Sequence, residues 1–105
     1  MFMHIVLLKF NERADAEFHR EVQAFGERIR RECEDVLLFH VGENVADRSR
    51  GHTHAVISTF KSSDAHDRYQ VSPAHVAMKS YLGPYTDQLV VYDGTVPSLQ
   101  VDTAS

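Results

Sequence analysis

One cysteine, Cys33, stands in 105 residues, and tryptophan is missing altogether. A lone thiol excludes an internal disulfide and any cysteine-based zinc site, leaving a reduced thiol near a helix end. Positive charge is also scarce: 11 Lys and Arg face 15 Asp and Glu, for a net charge of −4. That balance lacks the basic stripe of a general nucleic-acid surface. Without tryptophan or a basic groove, base stacking on single strands is not expected either. The apolar run Ile5 to Leu8 is far too short to span a bilayer, and no charged leader with a small-residue cleavage site precedes it. The expectation is a cytoplasmic protein with neither a membrane nor a nucleic acid as partner. There is no phosphate loop, dinucleotide fingerprint or nucleophilic Ser or Cys motif, so no cofactor is expected.

What is present is hydrophobic patterning that changes period along the chain. Residues 3–10 are rich enough in Ile, Val and Leu for a buried strand. In residues 15–32, Phe18, Val22, Phe25 and Ile29 recur at helical steps, with charged residues on the opposite side. Residues 36–44 and 53–60 read as two further strands, joined by a polar connection at Asp47 to Gly51. Ser63 or Asp64 can cap a short helix through Tyr69, and Ser72-Pro73 starts another that Gly83-Pro84 ends. Residues 88–92 form the last strand. The domain is expected over residues 1–93, with 94–105 as a C-terminal tail.

The order β-α-β-β-α-β fits an α+β, ferredoxin-like arrangement: a four-stranded antiparallel sheet with helices on one face. Strand alternation puts His4, Val6, Leu8 and Phe10 on one face and Ile5 and Leu7 on the other. Likewise Val56 and Phe60 oppose Ala55 and Ile57, and Val90 and Tyr92 oppose Leu89 and Val91. Both faces are apolar, yet the helices can cover only one. A bare apolar face of several hundred Å² is more than a soluble monomer usually tolerates. A homodimer, sheet against sheet, is therefore expected.

The region around Tyr69 to Val76 carries the chemistry. Ser72 as N-cap and Pro73 at the first helical position place His75 in the first turn. There the exposed N–H groups and the helix dipole disfavour a positive ring, and a neutral imidazole can accept a proton. Tyr69 lies just before the break. If the His4 face of the first strand is the helix-covered one, His4, Tyr69 and His75 converge on the space between sheet and helices.

Met3 to Phe10, Val41-Gly42-Glu43-Asn44, Thr53-His54-Ala55-Val56, Phe60-Lys61-Ser62 and Tyr69 to Val76 form an ordered set. Together they resemble the stress-responsive A/B barrel family of dimeric α/β barrel proteins. One branch of that family, olivetolic acid cyclase, closes a linear polyketide without a cofactor. Its Tyr-x-x-x-Pro-Ala-His pattern and first-strand His match Tyr69, His75 and His4. The resemblance thus implies His75 as base, Tyr69 at the carbonyl oxygen and His4 as orienting or shuttling group. His54, Val6 and Phe60 are the expected substrate-binding residues.

The functional expectation is a small-molecule pocket with His–Tyr acid–base chemistry, as in a cofactor-free cyclase, lyase or isomerase. The alternatives are a non-catalytic stress-associated or ligand-binding homodimer and a cofactor-free oxygenase. His52 and His54, with His40 on the neighbouring strand, form a weak pattern for a divalent ion, and no metal is expected there. His19 and His66 fall among charged helix neighbours and are read as solvated.

Overall fold

The computed structural model describes residues 1–97, and its architecture follows from the capping and periodicity of the chain. Strand β1 spans Phe2–Phe10, helix α1 Ala16–Glu32, β2 Val36–Glu43 and β3 His54–Phe60. Helices α2, Ser63–Gln70, and α3, Pro73–Leu82, follow. A single 3₁₀ turn, Gly83–Tyr85, leads into β4, Thr86–Thr95. The sheet order is β2-β3-β1-β4 with every neighbour antiparallel, which is the ferredoxin-like topology.

Each helix begins where a side chain satisfies an otherwise orphaned N–H. The Asp15 carboxylate accepts from Phe18 N at 2.9 Å, Ser62 Oγ from Ala65 N at 3.2 Å and Ser72 Oγ from His75 N at 3.3 Å. The buried stripe of α1 is Phe18, Val22, Gly26 and Ile29. Phe25 completes the stripe as a partly buried ring packed against the core, its centroid 5.4 Å from that of Tyr81. Gly26 is also buried in that stripe, where a Cβ would meet the Phe39 ring of β2 at 3.4 Å, an ordinary contact distance.

The last strand is longer than its apolar run. Gly94 and Thr95 pair with Met3 and Phe2, and Val96 N donates to Met1 O at 2.8 Å. The sheet therefore continues past residue 93, because β1 also starts early and offers these residues backbone partners. The remainder of the expected tail, 98–105, lies outside the described residues.

The core sits between the helices and the sheet face carrying Leu8, Phe10, Phe39, Val41, Val56 and Phe60, all buried. The opposite face bears Ile5, Leu7 and Ile57 in the middle. At its margins Leu38, Val90 and Tyr92 are each about half exposed. Among the described residues, no helix covers that face. Among the described residues, no helix is long and apolar enough to cross a membrane.

Candidate functional site

The short helix α2 and the start of α3 meet the sheet above β1. On α2, Ala65, His66 and Tyr69 face inward, and their spacing puts His66 and Tyr69 one turn apart on the same side. Tyr69 packs on Phe60 at 5.1 Å and against the His75 ring at 4.6 Å. His66 packs on His4 at 4.6 Å, Phe2 at 4.9 Å and Phe60 at 5.0 Å. His66 is thus buried, not solvated. Its charged sequence neighbours turn outward while the ring fills the space over β1. His19 also differs from expectation, being half-buried and stacked on His54 at 4.7 Å.

His4, Tyr69 and His75 do converge. All three line one cavity of about 470 Å³ between α3 and the β1–β4 half of the sheet. Val6, Leu8, Val56, Met78 and Leu82 make its apolar wall, and Leu89, Val91 and Asp93 supply the β4 side. Phe10, Phe60 and Tyr81, large enough to fill such a space, all lie elsewhere in the packing.

The ring chemistry is set by local contacts. His75 Nδ1 stands 2.9 Å from the Gln70 carbonyl oxygen, which can only accept, so Nδ1 carries the proton. In the neutral ring Nε2 is then the basic nitrogen. Burial holds the His75 pKa below its ordinary value of 6.5, outweighing the opposing Gln70 hydrogen bond. The nearby Lys79 and His4 push in the same downward direction. Burial raises the Tyr69 phenol well above its usual range, so it remains a neutral donor. Its hydroxyl makes no hydrogen bond to protein among the described residues. His4 Nδ1 is hydrogen-bonded to the Asp93 carboxylate, which fixes its ring.

Two expected binding residues lie elsewhere. His54 faces the helices but pairs with Leu8, four residues along β1 from His4, or about 13 Å at strand rise. It lines a separate cavity of about 160 Å³ with Phe10, His19, Gln23 and Glu43. Phe60 is fully buried beneath Tyr69 and His66, supporting the pocket without lining it. Val6 is in the cavity wall. The His40, His52 and His54 grouping does not form: His40 is exposed, and alternation from buried Phe39 and Val41 turns it to the helix-free face. His52 instead places its Nδ1 3.0 Å from the Ser49 carbonyl.

His66 and Asp93 were missed from sequence. The three-residue step from His66 to Tyr69 carried the signal for one. Alternation from Leu89 and Val91 carried it for the other, had the strand been extended by a single residue.

Residues 2–96 match the Stress responsive A/B Barrel Domain family. The chain belongs to that family. No curated protein matches this A/B barrel chain by sequence. Among solved structures it is similar to an Arabidopsis thaliana protein, with 26% identity over 96% of this chain and 100% of that one, at a TM-score of 0.80. It also shares its fold with the hydroxynitrile lyase of Passiflora edulis: 19% identity, 95% and 96% coverage, TM-score 0.82. A third neighbour, from Jannaschia sp., is described as a dimeric ferredoxin-like protein of unknown function. The A/B barrel chain is 23% identical to it over 90% of its own length and 98% of the neighbour's, at a TM-score of 0.79.

Proposed function

We propose that this A/B barrel protein binds a carbonyl compound with an apolar portion and promotes proton transfer beside the carbonyl, as a cofactor-free lyase, cyclase or isomerase does. One observation carries the reading: a neutral imidazole with a free Nε2, a neutral phenol and a carboxylate-anchored second imidazole share one cavity with an apolar wall.

In this scheme His75 Nε2 takes the proton from the carbon next to the carbonyl. The C–H electron pair moves into the carbon–carbon bond as the carbonyl oxygen gains charge, and the Tyr69 hydroxyl stabilises that oxygen. His4, held by Asp93, orients the substrate or relays the proton. The protonated His75 then returns its proton to the product, so the protein ends unchanged. The likeness to a hydroxynitrile lyase is one of fold, and the proposal rests on the cavity instead.

The working unit is a homodimer. Neighbours from Thermobifida fusca, Bacteroides fragilis and Jannaschia sp. are each described as dimeric. The uncovered apolar sheet face here is the surface such a dimer would bury, worth roughly 25 cal/mol for each apolar Å² removed from water.

Hydrogen–deuterium exchange tests the reaction without knowledge of the natural substrate. Aryl ketones of graded size, phenylacetone first, are incubated with the protein in D₂O, and loss of the protons beside the carbonyl is followed by NMR. Exchange above the buffer rate is expected, falling about 10²- to 10⁴-fold in His75→Ala. Exchange no faster than buffer across the series, or a rate indifferent to His75, overturns the proposal. Binding without exchange would identify a ligand carrier.

A further inference from the structure

We propose that His4, His66 and Asp93 form a binding site for a divalent first-row transition ion of the zinc class, opening onto the cavity. Their ligand atoms all lie within 4.8 Å of one another. Three strands of evidence in the geometry support this assignment over a simple His–Asp pair.

The first is the donor set. Two imidazoles and one carboxylate, with no thiolate, suit zinc, cobalt, nickel or ferrous iron. Four-coordinate bonds of about 2.0–2.2 Å separate ligand atoms by roughly 3.4 Å, so side-chain adjustments of about an ångström complete the site. The His4–Asp93 hydrogen bond opens slightly and His66 moves in.

The second is the setting of His66. Its ring lies among Phe2, His4, Phe60 and Tyr69, an aromatic surround that gives a polar ring little to bind. Its one hydrogen-bond partner among the described residues is the Gln70 side chain, 3.3 Å from Nε2. A metal-bound imidazole donates through its other nitrogen, so a Gln70 amide turned to present Oε1 would accept from Nε2–H and leave Nδ1 to the ion. His4 and His66 are largely withdrawn from water, with 12% of the His4 side chain exposed.

The third is access. His4 and Asp93 both line the cavity, and Asp93 is the more open of the three, so an ion has a route in. Three protein ligands leave a fourth position for an oxygen donor such as water, a carbonyl or a carboxylate. With an ion bound, His4 acts as a ligand and no longer relays a proton.

Metal binding is read without any substrate, so its outcome is separate from that of the proton-transfer proposal. Full-length protein stripped with EDTA is titrated with Co(II) and Zn(II), following the cobalt visible spectrum and the heat of binding. One ion per chain is expected, with cobalt bands of a low-coordinate site and paramagnetic broadening of the His4 and His66 ring signals. His66→Phe preserves the stacking, and Asp93→Asn alters a partly exposed side chain. Each is expected to weaken binding by more than the roughly 10- to 100-fold that loss of an outer partner costs. His40→Gln, on the opposite face, should leave it unchanged. Absence of stoichiometric binding, or affinity that depends on His40 and not on His66 and Asp93, overturns the site.

Discussion

Tyr69→Phe separates a structural tyrosine from a working one, because its two effects differ in size. The Tyr69 ring is held by Phe60 at 5.1 Å and His75 at 4.6 Å, contacts that phenylalanine keeps. The hydroxyl has no protein hydrogen-bond partner among the described residues, and the residue lines the cavity. Removing it leaves no buried group unpaired, so the stability change should stay within about 0.5 kcal/mol. For a domain of this size that is roughly 2–4 °C in Tm. The effect on chemistry should be far larger. Loss of one donor to a developing oxyanion costs about 10²- to 10³-fold in rate, or some 2.7–4 kcal/mol. Thermal unfolding by circular dichroism and phenylacetone exchange by NMR, on the same preparation, read the two effects. A Tm drop well beyond that range with exchange intact would make the hydroxyl a structural group. A variant indistinguishable from the parent in both would remove the phenol from the mechanism.

Three further outcomes are expected. His54, His66 and His75 all have pKa values lowered chiefly by burial, so the folded protein holds them neutral where the unfolded chain would protonate them. Their stabilising contribution is complete above pH 6.5 and lost as pH falls through the lowered values; urea melts from pH 8 to 5 should show a declining midpoint, and a flat profile would contradict it. The Asp35–Arg68 pair acts separately, its lowered carboxylate pKa confining its loss to more acidic conditions. Val90→Asp puts a charge on the uncovered sheet face, and should shift a dimer to monomer by light scattering at micromolar concentration; a parent already monomeric would refute the dimer. Gly26→Leu forces a side chain against the Phe39 ring and should cost about 1–3 kcal/mol by denaturant melts.

Local physics wrote much of this molecule into its sequence. Ser72 and Pro73 mark a helix start because capping is decided by a few adjacent atoms, while α2 is capped by Ser62, one residue before the expected Ser63 or Asp64. Alternation along β1 placed His4 and Val6 on one face for the same reason, since strand side chains switch sides at every residue. The family match and the fold neighbours agree with that reading of the ferredoxin-like domain.

What the sequence by itself could not decide was position along and across the sheet. His54 and His4 share a face, but antiparallel register sets them far apart, and register depends on pairing between distant strands. His66 looked solvated from its neighbours, yet the angle at which α2 meets β1 and β3 buries it. Asp93 joined the site only because β1 extends far enough to hold β4 in register beyond its apolar run. Periodicity assigns a residue to a face; only tertiary packing determines which side chains share a cavity there.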